Sequence, residues 1–226
     1  MLLFGHIGIT VGIAYACDVF ADRSGNNHEP NPGSRLSVTV HKILLTLRRA
    51  LDRVRHRLGS IDYRVVLLGS LLPDILDKPL WLFASGGSWP SGRAWGHTFL
   101  FNFLLFVVGL ILIRYRKSWL VVISLSSFIH LVLDQMWANP VVLWWPLLGP
   151  FQRAGTAGWM PDIIHSLFSN ASTYIPEIIG LVVILLLGYR LLLNKDITGF
   201  IKEGHLSVRR NSRHLMTAKV MPQSGT

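Results

Sequence analysis

Apolar residues in this chain gather into long runs broken by short polar or basic stretches, and the spacing changes character from one run to the next. Residues 2–19, 65–83, 98–113, 119–137 and 174–193 form five predominantly apolar segments, each long enough to cross a bilayer with some tilt or thinning. Between the first two the pattern is helical but two-sided. Val40, Ile43, Leu44, Leu47, Leu51, Val54 and Leu58 recur at helical spacing, while Lys42, Arg48, Arg49, Arg53, Arg55 and Arg57 fill the other face. That pattern predicts an interfacial helix over about residues 36–60, lying on an anionic leaflet. An amphipathic helix packed on a partner has the same signature. Residues 139–173 read as a long loop rich in Trp, Pro and Gly, with Leu143-Trp144-Trp145-Pro146 as an interface anchor or short re-entrant turn. The predicted fold is all-α, a polytopic membrane helix bundle of about five segments. It forms one membrane-embedded domain over residues 1–193, followed by a basic, flexible tail over 194–226.

The second segment departs from a plain span. Residues 71–79 read Leu-Leu-Pro-Asp-Ile-Leu-Asp-Lys-Pro. An ionised group at a helix centre costs about 2.5–3.5 kcal/mol even on a lenient insertion scale, so Asp74, Asp77 and Lys78 need partners, a water-filled cavity or an ion. Pro73 and Pro79 bracket them and predict a helix broken at that point.

Composition supports the membrane class. Of 226 residues, 50% are hydrophobic and 15% charged, with Trp 8 and Phe 11. The net charge of +10 would suit nucleic acid if it were spread over a soluble surface. Instead the basic residues concentrate at 23–64, 114–117 and from Arg190 onward, and the loops between hold only Arg93 and Arg153. That asymmetry predicts a multi-pass membrane protein with its N-terminus outside and C-terminus in the cytoplasm. Membrane lipids are then the expected partners, and no nucleic acid is expected. The first segment has no Lys or Arg ahead of its apolar run, so it is read as a retained helix rather than a leader. Cys17 is the single cysteine, which excludes an internal disulfide.

With that topology, a rise of about 1.5 Å per residue places the polar groups by depth. His6, Asp74, Asp77, Lys78, His97, His130, Asp134 and Glu177 come from five segments and fall in the same outer half. His130 and Asp134 are four apart and Asp74 and Asp77 three apart, so each pair can face one ion. Histidine with carboxylate and no cysteine suits Zn²⁺, Mn²⁺ or Fe²⁺. The surplus over the three or four ligands that one zinc needs leaves room for a second metal, a general base or outer hydrogen bonds. Structural readings stand beside these. An intramembrane histidine such as His6 often hydrogen-bonds between helices. Asp77 and Lys78 can be a structural ion pair, and Glu177 near a helix N-terminus can merely favour the dipole. Asp162 and His165 in Pro-Asp-Ile-Ile-His echo the earlier motif but read as solvated loop residues.

Gly5-His6, Leu71-Leu72-Pro73-Asp74-Ile75, Gly96-His97-Thr98, and His130 with Asp134 running into Trp144-Trp145-Pro146 together resemble the YdjM-type family of membrane-bound predicted metal-dependent hydrolases. The order and approximate spacing match over about residues 1–193. The resemblance implies an inner-membrane helical protein with a metal site comprising His6, Asp74, His97, His130 and Asp134, and Glu177 in the acidic position of the last helix. Many members read Pro-Asp-Ile-Asp-His. Here the second acid is displaced to Asp77, Lys78 replaces the histidine, and Gly92 stands before Arg93 where many members carry a histidine. Those departures favour a mononuclear site.

The functional expectation is a metal-dependent hydrolase opening to the outer leaflet. His6, Asp74, His97, His130 and Asp134 would hold the ion, most simply zinc, with Mn or Fe as alternatives. Asp77 or Glu177 would serve as general base, and Arg93 and Lys78 would hold an anionic group, such as a phosphoester of a lipid or envelope precursor. Two other classes remain open. One is an ion-coupled transporter, since a proline-broken helix with midplane carboxylates also builds ion sites. The other is a non-catalytic membrane protein with a basic cytoplasmic interaction face.

Overall fold

The computed structural model describes residues 3–22, 46, 61–83, 91–151, 153 and 159–206. Among them the secondary structure is helical throughout, without strands, as expected. The helices are α1 (Leu3–Asp22), α2 (Tyr63–Phe83), α3 (Phe99–Ile113), α4 (Trp119–Leu133), α5 (Pro140–Leu143), α6 (Trp159–Ser169), α7 (Ala171–Leu193) and α8 (Ile197–Glu203). Short 3₁₀ turns at Trp95–His97 and Met136–Ala138 stand before α3 and after α4. The basic amphipathic helix expected over residues 36–60 and the tail beyond residue 206 lie outside the described residues, Thr46 excepted.

By length and composition, one described helix, α7, is long and apolar enough to cross a membrane. The apolar parts of α1, α3 and α4 are shorter, and α2 carries Asp74, Asp77 and Lys78 within its 21 residues. What buries and what faces outward is nonetheless inverted relative to a water-soluble protein. His6, Thr10, Ser70, Asp77, His97, Asn102, Ser124, Ser127 and His130 are buried, whereas Phe103, Leu104, Ile111, Val132, Leu185 and Leu186 are exposed. Apolar surface on that scale marks a membrane or partner interface.

Small residues let the helices meet. Gly8 and Gly180 bring the backbones of α1 and α7 together, and a Cβ on either would overlap the other helix. The two run parallel, with Gly5 beside Glu177, Gly12 beside Val183, and Tyr15 accepting from Arg190. Close approach through small residues is how helices associate where lipid removes the hydrophobic drive. Gly69 does the same for α2 against α4, where an added Cβ would stand 2.7 Å from the Ile123 carbonyl. On its other side α2 packs on α1, with Tyr63 Oη donating to Asp18 at 3.3 Å, and α3 packs along α4.

Two expectations are corrected here. The helix predicted to break at Pro73 and Pro79 is a single α-helix with both prolines inside it. Each proline removes one ladder donor, and a helix survives this where neighbours support the freed turn. The turn before Pro73 has such support: Ser70 Oγ donates to the Leu67 carbonyl at 2.8 Å, and the Ser70 carbonyl lies 2.7 Å from His130 Nδ1. The stretch 139–173 is not one loop. It contains α5 and α6, so His165 lies on a helix, where it reaches Ser169 one turn on at 3.4 Å. Pro161 is tolerated because it falls in the first turn of α6, where backbone N–H groups have no helical partner.

Beyond α7, residues assigned to the tail form α8, which ends at Gly204 with φ +71°. This end of the bundle is tied by matched partners. Tyr63 N–H donates to Gly204 O at 2.8 Å, and Arg64 Nη1 donates to the Ile201 and Lys202 carbonyls at 2.8 and 3.2 Å. Arg64 Nη2 reaches Asp62 at 2.7 Å, and His205 Nδ1 lies 3.0 Å from the Ile61 carbonyl. The hydrogen bond from Arg64 holds the Asp62 carboxyl below the usual carboxylate range.

Candidate metal centre

At the opposite end, five residues from four parts of the chain converge. The first turns of α1 supply His6, the second half of α2 supplies Asp74, the turn before α3 supplies His97, and the end of α4 supplies His130 and Asp134. His6, His97 and His130 are fully buried, and the side chains of Asp74 and Asp134 are 13% and 3% exposed. Their ligand atoms form two overlapping triads, His6–Asp74–His130 and His97–His130–Asp134, each with all its atoms within 4.8 Å of one another.

The hydrogen-bond partners assign the ring protons. His130 Nδ1 lies 2.7 Å from the Ser70 carbonyl, which can only accept, so Nδ1 carries the proton. His97 Nδ1 lies 2.8 Å from Asp77 Oδ2, an acceptor as well. In neutral rings both Nε2 atoms are therefore lone pairs, and they face each other at 3.3 Å. Asp74 Oδ1 lies 3.5 Å from His97 Nε2 and 3.8 Å from His130 Nε2, and Asp134 Oδ2 lies 3.9 Å from His97 Nε2. Among the described residues His97 Nε2, His130 Nε2 and Asp74 Oδ1 thus face one another as three buried acceptors with no donor between them, and Asp134 stands beside them. Among the described residues Asp74 Oδ1 has no hydrogen-bond partner, and neither do the ring nitrogens of His6, whose Nε2 stands 3.2 Å from Asp134 Oδ1. The His6 ring stacks on that of His130, centroids 3.9 Å apart.

Such a set fits a cation. Donors about 2.0 Å from a tetrahedral ion sit about 3.3 Å from one another, close to the shorter separations here and a few tenths below the longer ones. The contacts behind the rings also match, because metal-binding histidines commonly give the second N–H to a carboxylate or carbonyl. Three imidazoles and two carboxylates suit a borderline or hard divalent metal rather than a thiolate-seeking one.

The remaining predicted residues separate into rim and support. Lys78 Nζ pairs with Asp74 Oδ2 at 2.6 Å and Arg93 Nε with Asp134 Oδ2 at 2.8 Å. Their side chains are 41% and 46% exposed, so each cation caps a carboxylate while still meeting solvent. The expected alternative of an Asp77–Lys78 pair is corrected: Lys78 turns to the acid four residues back, on its own helix face. Asp77 is instead fully buried, accepting from Ala94 N–H at 2.7 Å and Gly96 N–H at 3.2 Å as well as from His97. Glu177 belongs to neither triad. Its Oε2 accepts from Phe4 N–H at 2.9 Å, capping the first turn of α1. It also lines an apolar cleft of about 660 Å³ with Leu3, Phe4, Leu167, Phe168, Tyr174, Ile178 and Leu181.

Sequence reasoning missed the supports. Asn102 Nδ2 donates to the carbonyls of Gly96 and Thr98 at 3.0 and 2.9 Å, and Ser127 Oγ donates to Asn102 Oδ1 at 2.5 Å. Together they tie the turn carrying His97 to α4, which carries His130. A signal was present: Asn102 is the lone amide in the otherwise apolar Phe99–Ile113. The Ser70 carbonyl, a backbone acceptor, leaves no such mark.

Compared with known proteins, the chain matches the model of a family described as YdjM inner membrane protein over residues 1–197. No curated protein and no solved structure matches it.

Proposed function

Since the chain belongs to the YdjM inner membrane protein family, we propose that it is a membrane-bound metal-dependent hydrolase with its His/Asp centre near the outer leaflet. Its substrate would be a phosphoester of a lipid or envelope precursor. The observation carrying this reading is that three buried acceptors, His97 Nε2, His130 Nε2 and Asp74 Oδ1, face one another with no donor between them among the described residues. The topology that goes with it has five membrane segments, N-terminus outside and C-terminus in the cytoplasm. Supporting that alternation, α1 and α7 lie parallel with the centre at their N-terminal ends, while α2 and α4 bring Asp74 and His130 from their C-terminal halves.

His97, His130, Asp74 and Asp134 would hold the ion, with His6 as a fifth ligand, and zinc is the simplest choice for that donor set. A divalent ion bound there supplies Lewis acidity, polarising a substrate oxygen and making water a better nucleophile. The chain does the rest. Ser70 and Asp77 keep both rings in the tautomer that directs Nε2 inward. Arg93 and Lys78, half exposed at the rim, offer N–H donors to an anionic group, and Arg's planar fork matches phosphate oxygens. Asp77 and Glu177, the two expected bases, are engaged by backbone N–H groups, and those contacts lend no support to proton transfer by either.

The test is elemental analysis of the full chain purified in detergent, beside His130→Ala and Asp134→Ala. Bound zinc, manganese or iron in the parent and its loss in both variants is expected, with metal-dependent cleavage of a phospholipid-type phosphoester by the parent alone. Equal, background metal in all three preparations would overturn the proposal.

A further inference from the structure

We propose that Asp77 is the positioning residue of this centre, holding His97 so that Nε2, and only Nε2, is presented to the ion. The inference rests on the metal reading above and extends it to a residue that touches neither ion nor substrate. Asp77 meets His97 from behind, at Nδ1, the ring nitrogen remote from the convergence point. It also accepts from the backbone N–H groups of Ala94 and Gly96, so one carboxylate fixes both the imidazole and the turn that carries it.

The turn is held on its other side too. Asn102 Nδ2 binds the carbonyls of Gly96 and Thr98, and Asn102 is itself held by Ser127 of α4. Gly96 permits the close stacking, since a Cβ there would stand 2.9 Å from Pro73 Cα and 3.3 Å from Asp77 Oδ2. His97 is therefore clamped between α2 and α3, with its remaining nitrogen aimed at His130. The same helix supplies a ligand carboxylate, Asp74, and one turn later this orienting carboxylate, so the uninterrupted course of α2 through Pro73 sets their mutual register. A purely structural role would be satisfied by the two backbone amides alone. The third bond, to Nδ1, links Asp77 to the chemistry. His130 has only a neutral backbone carbonyl behind it, so the carboxylate contact is particular to His97.

The experiment is a double-mutant cycle on the full chain in detergent, reading zinc affinity by chelator competition for the parent, Asp77→Asn, His97→Ala and the double variant. Asp77→Asn replaces one of the two acceptor oxygens that serve these three N–H groups by a donor and removes the charge, and it is expected to weaken zinc 10–100-fold, in the range for outer partners of metal ligands. The double variant is expected to match His97→Ala, because a residue acting through His97 has nothing left to position once the ring is gone. Losses that multiply in the double variant would show Asp77 acting independently and overturn the proposal. Should Asp77→Asn fail to fold, ¹⁵N NMR of the histidines in the metal-free parent decides the point. A protonated Nδ1 with a bare Nε2 on His97 supports the proposal, and the reverse tautomer overturns it. A parent that binds no zinc would refute the metal reading, while the tautomer measurement would still report on Asp77.

Discussion

The two ends of the bundle spend their polar residues differently. Where α8 meets the start of α2, each prominent acceptor has a donor: Arg64 serves Asp62 and two carbonyls of α8, Tyr63 N–H serves Gly204, and His205 faces Ile61. At the other end His97 Nε2, His130 Nε2 and Asp74 Oδ1 turn acceptors toward acceptors in a buried space. A matched set is complete by itself and fastens one segment to another. An unmatched, desolvated set costs free energy until a cation arrives. Both ends are rich in charge, so charge alone would not have told the fastening from the site. The donor–acceptor balance does.

Breaking the unmatched end should have the largest effect. His130 belongs to both triads, so His130→Ala is expected to reduce bound metal to background and abolish the proposed hydrolysis, as read by elemental analysis and turnover. Next, the two ends should respond differently to metal. Zinc at 100 times its dissociation constant is expected to stabilise the parent by about 2.7 kcal/mol, seen as a rise in melting temperature, and to leave His130→Ala unmoved. An equal rise in both would place the binding elsewhere. Replacing Arg93 or Lys78 by alanine should keep the metal and weaken an anionic substrate about tenfold, as a lost charge-assisted contact at a half-exposed rim would. The readout is KM with metal content unchanged.

The matched end should give the smallest and metal-independent responses. Arg64→Ala is expected to lower the melting temperature slightly with full metal content. Acid should do the same in the parent. The Asp62 carboxyl titrates lower folded than unfolded, so its contribution is present above the ordinary carboxylate range and is lost as pH falls through its depressed value. Melting curves of parent and Asp62→Asn should converge in acid and differ near neutrality. Curves separated equally at both ends of that range would contradict the assignment.

Much of this was legible in the sequence. The rise per residue and the alternation of segment directions sufficed to bring His6, Asp74, His97, His130 and Asp134 to one end. The partnerships were less so. Lys78 faces Asp74 because four residues return a helix to the same side, but reading a break at Pro73 discarded the helical phase that would have shown it. The long loop expected over residues 139–173 exceeded what a compact domain leaves unstructured, and that excess pointed to α6. Asn102 stood out in an apolar helix, yet its bonds to Gly96 and Thr98 depend on how a turn folds back, which no spacing encodes. The amphipathic helix over 36–60 is as yet a reading of the sequence alone.

The glycine contact between α1 and α7 also fixes an order of events. His6 lies two residues from Gly8, on a helix made well before Gly180, the residue against which Gly8 packs. Until α7 enters the membrane, the small-residue face of α1 has no partner, and Phe4 N–H has no Glu177 to cap it. The candidate metal centre is therefore completed only when α7 is in place, by a closure between residues 173 apart in sequence. Ribosome-bound intermediates lacking α7 should hold zinc more weakly than released protein, although they already carry all five proposed ligands.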